Sequence, residues 1–156
     1  MIRGIHHVAM HARNLDAMRL FYKDAFGFEQ VGEEASWTPN PFGDALMGVT
    51  NGAGRTVMLK APNCFLEMFE WVSPAPRHGG PAAPSDLGYT HFSVEVTDIE
   101  QEFVRLKGLG MTFTMDRPGD LGDIKSIYGR DPEGNVIELQ EVVNREAYAF
   151  ESLSIA

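Results

Sequence analysis

The chain is 156 residues long, 44% hydrophobic and 22% charged, and its 22 acidic against 13 basic side chains give a formal charge of −9. A chain of this size and polarity buries roughly two-thirds of its unfolded surface, as one compact domain or two small modules sharing a core, which excludes disordered and fibrous classes. The acidic balance opposes nucleic-acid and anionic-membrane partners, both of which need a basic footprint; no run approaches the about 20 apolar residues of a membrane span.

Arg3, His6 and His7 interrupt any signal-like apolar run near the N-terminus, and the lone Cys64 makes no internal disulfide, so a cytoplasmic protein is expected. The first strand is expected over Ile5 to His11. Asn14 or Asp16 then caps a helix in which Leu15, Met18, Phe21, Tyr22 and Ala25 recur at helical spacing, and Gly27 ends it. Phe28 to Glu33 reads as a strand, and Ser36 to Asp44, with Pro39 and Pro41, as a loop. Ala45-Leu46-Met47 suits a short helix within a lid-like excursion that turns at Asn51-Gly52 and enters a strand over Thr56 to Lys60. Ala61-Pro62-Asn63 turns the chain into a closing strand over Phe65 to Val72.

Ser73 to Ser85 holds four prolines and the Gly79-Gly80 pair, the composition of an irregular connection between modules. The second module opens with a strand over Thr90 to Val96. Asp98, with Gln101 three residues on, starts a helix that turns Ile99, Phe103 and Leu106 inward, and Gly108 or Gly110 stops it. A strand near Met111 to Met115, a loop through Pro118, Gly119 and Gly122, and a strand over Asp123 to Gly129 follow. Asp131-Pro132-Glu133-Gly134-Asn135 forms the turn into a last strand over Val136 to Val142. The remainder reads as a short amphipathic tail in which Tyr148, Phe150 and Leu153 are available for packing.

The two modules echo each other. Laying His91 on His7, an offset of 84 (91 − 7), also lays Asp98-Ile99-Glu100 on Asn14-Leu15-Asp16. Leu66-Glu67-Met68-Phe69-Glu70 matches Ile137-Glu138-Leu139-Gln140-Glu141 at an offset of 71 (138 − 67). Alternate side chains of a strand share a face. Phe92, Val94 and Val96 therefore oppose His91, Ser93 and Glu95, and Val8 and Met10 oppose His7, Ala9 and His11. Leu66 and Met68 flank Glu67; Ile137 and Leu139 flank Glu138. By the same parity His6 falls on the helix-packed face. Two imidazoles and two carboxylates, His7, Glu67, His91 and Glu138, thus point away from the helix-packed faces and together suit a divalent-metal site.

The repeated order of strand, helix and three strands, with His-Val-Ala-Met, Asn-Leu-Asp, Phe-Tyr-Lys-Asp-Ala-Phe-Gly-Phe and Asp-Pro-Glu-Gly-Asn-Val-Ile-Glu-Leu, resembles the vicinal oxygen chelate superfamily of glyoxalases, epimerases, extradiol dioxygenases and antibiotic-resistance proteins. The resemblance runs from Ile5 to Val142 and leans toward glyoxalase I and methylmalonyl-CoA epimerase. It implies an α+β chain in which two βαβββ modules form a cupped, mostly antiparallel sheet around a metal. The expected organisation is a single domain over 1–156, with module one at 1–72, linker 73–87, module two 88–143 and tail 144–156. It further implies one divalent ion, zinc, nickel, cobalt, manganese or iron(II), and a homodimer.

Glu67 sorts the family's chemistries. Lyases and isomerases of the superfamily generally carry a metal-binding Glu or Gln at this position, whereas extradiol dioxygenases use two histidines and one glutamate, leaving room for dioxygen and a catechol. The expected function is therefore a metal-dependent lyase or isomerase that chelates a small carbonyl substrate and stabilises an enediolate, with Glu67 or Glu138 as both ligand and base. An Fe(II) extradiol-type dioxygenase and a non-catalytic small-molecule or antibiotic binder are the alternatives. His11 stands where glutathione-dependent glyoxalases carry arginine, and Glu70-Trp71 where they carry asparagine, which speaks against glutathione recognition. His11 and Glu95 are candidates for orienting the ligands or acting as base. Phe65, Phe69 and Trp71 share the Glu67 face, as an apolar pocket wall or, equally, as plain core packing. Arg55, Lys60, Lys125 and Arg130 could meet an anionic substrate, although cations so scattered more often lie on the surface.

Overall fold

The computed structural model describes residues 2–77 and 83–150. The chain divides into two compact units, Met1–His78 and Gly79–Ala156, with the division inside the proline-rich connection. Residues 78–82 of that connection, and Leu153 in the tail, lie outside the described residues. Among the described residues no helix is long and apolar enough to cross a membrane.

The first unit runs β1 (His7–His11), α1 (Leu15–Phe26), β2 (Glu29–Trp37), α2 (Pro41–Met47), β3 (Ala53–Lys60) and β4 (Phe65–Ser73). Its four-stranded sheet has the order β1-β4-β3-β2, parallel only between β1 and β4. Asn14 caps α1 by accepting from the Ala17 N–H at 3.0 Å, and Gly27 closes it in the left-handed conformation. Leu15, Met18, Phe21, Tyr22 and Ala25 are all buried, the inward stripe that the spacing requires. α1 packs on β4, where Leu66 and Met68 are buried, and Val57 and Leu59 of β3 are buried too, all four being 0–3% exposed.

The second unit runs β5 (His91–Glu95), α3 (Ile99–Gly108), β6 (Thr112–Phe113), β7 (Gly119–Asp120), β8 (Ile124–Arg130), β9 (Val136–Val142) and the single turn α4 (Arg145–Tyr148). Its sheet has the order β5-β9-β8-β6, with β7 also pairing to β8 and only β5 and β9 parallel. Asp98 caps α3 from the Gln101 N–H, and Ile99, Phe103 and Leu106 face Ile137 and Leu139 as the core. The Asp131 turn is a closed unit. Its buried carboxylate accepts from the Glu133 and Asn135 backbone N–H groups and the Asn135 amide, so β9 starts at a fixed point.

Four local expectations shift. β2 continues through Ser36 to Trp37, because beyond an irregularity between Val31 and Ala35 it re-pairs with Thr56, Arg55 and Gly54. The short helix starts at Pro41 rather than Ala45, since Asn40 caps it from the Gly43 N–H and proline fits a first helical turn. The Met111 strand shrinks to two residues, and the Pro118–Gly122 loop contains β7, whose two residues pair with Ser126 and Lys125.

The duplication extends to how each helix is tied to its sheet. Glu70 Oε2 accepts from the Leu15 N–H at 2.8 Å, and Glu141 Oε2 accepts from the Ile99 N–H at 3.2 Å. In each unit this glutamate stands three residues after the one at 67 or 138 and has a cation as its strand partner, Arg55 or Lys125. Carboxylates at helix N-termini complement the free N–H groups and the dipole.

Candidate metal centre

Strand register places the four proposed donors. His7 pairs with Phe65, and Ala9 with Glu67, on parallel strands β1 and β4; His91 pairs with Val136, and Ser93 with Glu138, on β5 and β9. Parity holds: Leu66, Met68, Ile137 and Leu139 are buried toward the helices, while Glu67 and Glu138 project from the opposite faces. The result is one imidazole–carboxylate pair per unit. His7 Nε2 lies 3.4 Å from Glu67 Oε2, and His91 Nε2 lies 3.5 Å from Glu138 Oε2. Within either unit, among the described residues, no group of three or more His, Cys, Asp or Glu is assembled.

Each pair by itself has the spacing of two donors on one cation. Two donors on a tetrahedral ion at about 2.1 Å stand about 3.4 Å apart, whereas a charged hydrogen bond between them would close to about 2.7–2.9 Å. Each histidine is also engaged at its other nitrogen by the residue before it. His7 Nδ1 is 3.0 Å from His6 Nδ1, and His91 Nδ1 is 2.9 Å from Thr90 Oγ1. That pattern fixes the ring and turns Nε2 toward the glutamate, as a ligating histidine needs.

The expectation for His6 changes here. β1 begins at His7, so strand alternation does not reach His6, which is exposed and stacks on Phe65 at 5.0 Å. It acts as the partner of His7.

The two glutamates differ in freedom. Ser126 Oγ donates a short hydrogen bond to Glu138 Oε1, which leaves Oε2 facing His91. Glu67 is the more exposed of the two, 22% against 13%. Tyr128, the strand partner of Glu138, packs edge-on against the His91 ring, its hydroxyl 3.3 Å from Nε2. Burial, with the Glu138 charge second, pushes the Tyr128 phenol up, so its hydroxyl stays protonated at neutral pH.

The other candidates separate. Glu95 forms an ion pair with Arg145 of α4 at 3.3 Å, and His11 Nε2 accepts from the Trp71 backbone N–H at 3.3 Å. Arg55 is held by Asp16, Glu34 and Glu70 at 3.0, 3.4 and 2.9 Å. The guanidinium beside Glu70, helped by the Leu15 N–H, holds that carboxyl below the usual range. Lys125 lies 4.0 Å from Glu141, and Arg130 donates to the Gly134 carbonyl, so these three cations are occupied within their units. Phe69 and Trp71 lie on the Glu67 face as expected, and Trp37 joins them, its ring 5.8 Å from Phe69 and 5.1 Å from Trp71. Trp37 opposes Gly54, where a Cβ would fall 2.8 Å from the indole and 2.5 Å from the Glu70 carbonyl, so only glycine admits this approach.

Ser126, Tyr128, Thr90 and Trp37 are the site residues that sequence reasoning passed over. Ser126 and Tyr128 alternate with buried Ile127, but only the β8–β9 register shows that they face Glu138. Thr90 had a signal in the 84-residue offset, which lays it on His6.

Residues 4–139 match the model of the Glyoxalase/Bleomycin resistance protein/Dioxygenase superfamily. The metallothiol transferase FosB of Staphylococcus epidermidis is 28% identical over 141 residues, covering 88% of this chain and 81% of that protein. A glyoxalase family protein from Bacillus cereus has the same fold, with TM-score 0.78, 21% identity and coverage of 91% of this chain and 95% of that one. A lactoylglutathione lyase from Agrobacterium tumefaciens aligns at TM-score 0.56 and 24% identity over 93% and 97% of the two chains. Both structural matches speak for the fold alone. With its duplicated βαβββ plan and a family match over most of its length, the chain belongs to the Glyoxalase/Bleomycin resistance protein/Dioxygenase superfamily.

Proposed function

We propose that His7, Glu67, His91 and Glu138 hold one divalent metal and that the protein is a lyase or isomerase acting on a small carbonyl substrate. The observation that carries this reading is the repeated pair, an Nε2 and a carboxylate oxygen 3.4 or 3.5 Å apart in each unit, since a three-donor dioxygenase site has no use for Glu67. When bound, the metal supplies Lewis-acid polarisation of a carbonyl oxygen.

The residues divide the remaining work. Ser126 fixes Glu138, which suits a permanent ligand. Glu67, the more exposed of the pair, is free to swing and is the better base: it takes a proton from the carbon beside the carbonyl and returns it to the adjacent one. The Tyr128 hydroxyl, kept protonated beside His91, is placed to donate to a substrate oxygen. Glu95 and His11, each engaged by Arg145 or the Trp71 N–H, orient their surroundings rather than move protons.

Deuterium exchange next to the carbonyl of 2-oxo aldehydes and 2-hydroxy ketones tests the reading. We expect metal-dependent exchange that falls by at least a hundredfold in Glu67→Gln while metal is retained. Exchange that survives metal stripping, or oxygen uptake with catechols in its place, would overturn it. A second reading, transfer of a thiol to a small electrophile, is favoured by the similarity to FosB; metal-dependent consumption of thiol with an epoxide, without exchange, would select it.

A further inference from the structure

The two sheets use the same duplicated positions differently. In the second unit, the face carrying His91 and Glu138 continues along β9 to Gln140 and across to Ser126 and Tyr128, all polar or hydroxyl-bearing. In the first, the face carrying His7 and Glu67 continues along β4 to Phe69 and Trp71, with Trp37 beside them on β2. Phe69 and Trp71 are 6.0 Å apart and tilted by only 32°, while Trp37 meets both nearly edge-on at 84° and 81°.

Three features distinguish this cluster from ordinary core. It lies on the sheet face opposite α1, where Leu66 and Met68 make the core, and its rings are half-buried. Glycine at 54 keeps Trp37 close, so the geometry depends on a specific backbone approach. The Trp37 indole N–H is buried without an acceptor among the described residues, a donor left over by the protein's own packing. Along an extended strand Phe69 lies about 7 Å beyond Glu67, and Trp71 about as far again.

Resting on the metal reading above, we propose that Trp37, Phe69 and Trp71 form a subsite for a planar aromatic group, so that the substrate is an aryl-bearing carbonyl or hydroxy acid whose ring lies a short linker from its chelating oxygens. Offset-stacked and edge-on contacts with such a ring are the natural use of a tilted pair and a perpendicular indole.

The chain's only two tryptophans, Trp37 and Trp71, are both in this cluster, so intrinsic tryptophan fluorescence reports on it alone. The test titrates lactate and 3-phenyllactate, which share their vicinal oxygens and differ by a phenyl ring, into the full chain loaded with zinc and into the chain stripped of metal. We expect 3-phenyllactate to bind zinc-loaded protein at least tenfold more tightly and to change the tryptophan emission. Phe69→Ala and, as a milder variant, Trp37→Phe should weaken 3-phenyllactate at least tenfold more than lactate; an equal loss for both acids would overturn the subsite. Equal affinities for the two acids would overturn the aromatic subsite while leaving the metal site standing. A phenyl preference that is indifferent to zinc would support the subsite and overturn the metal reading; binding of neither acid would overturn both.

Discussion

At the scale of single residues, the most informative groups are those that repeat with a changed environment. Glu70 is tied by Arg55 at 2.9 Å and by the Leu15 N–H at 2.8 Å, and the Arg55 bond is the main cause of its lowered pKa. A carboxyl with a folded pKa below its unfolded value stabilises the fold above the unfolded value, and that stability is lost as pH falls through the folded one. Glu70→Gln should therefore cost about 1–3 kcal/mol at pH 7, and the deficit should close at acid pH; urea denaturation of both proteins at neutral and acid pH measures it. A deficit independent of pH would show that the charge is not what matters. Ser126→Ala frees Glu138 and should weaken metal binding about 10–100-fold, read by competition with a chelator. The pairing of His7 with Glu67 and of His91 with Glu138 was legible in the sequence because duplication and strand parity both mark these positions, whereas the contacts of Ser126 and Tyr128 were not, since they exist only through the pairing of β8 with β9.

At the scale of elements, α1 and α3 were readable almost to the residue. Their caps, Asn14 and Asp98, and their apolar spacing are local properties of the chain. β2 and β7 were not. The extension of β2 to Trp37 is decided by partners on β3 some 20 residues away, and β7 is two residues that only their pairing with β8 makes a strand. Gly54 shows the consequence. A Cβ there meets the Glu70 carbonyl at 2.5 Å, so Gly54→Ala must push β3 away from β4 or displace Trp37. We expect it to lower stability by about 1–3 kcal/mol as overpacking does and to alter tryptophan emission; a variant as stable as the parent with unchanged emission would contradict this packing. Met68, fully buried against α1, tests the opposite face, where Met68→Ala should cost about 2–5 kcal/mol without changing the emission of Trp37 and Trp71.

At the scale of the whole molecule, one plan is written twice and then specialised. Both units keep a histidine with its Nδ1 engaged by the preceding residue, a glutamate facing its Nε2, and a second glutamate three residues on that anchors the helix. What differs is the rest of each sheet face, aromatic in the first unit and hydroxyl-rich in the second. Each unit alone offers two donors, too few for the four-coordinate sites at which divalent ions are commonly held. Whether both pairs serve one ion is decided by metal titration followed by elemental analysis of the parent, His7→Ala and His91→Ala proteins. We expect one divalent ion per chain in the parent and loss of tight binding in both variants; a parent that takes up no stoichiometric metal, or a His91→Ala protein that binds as tightly as the parent, would rule out a shared ion.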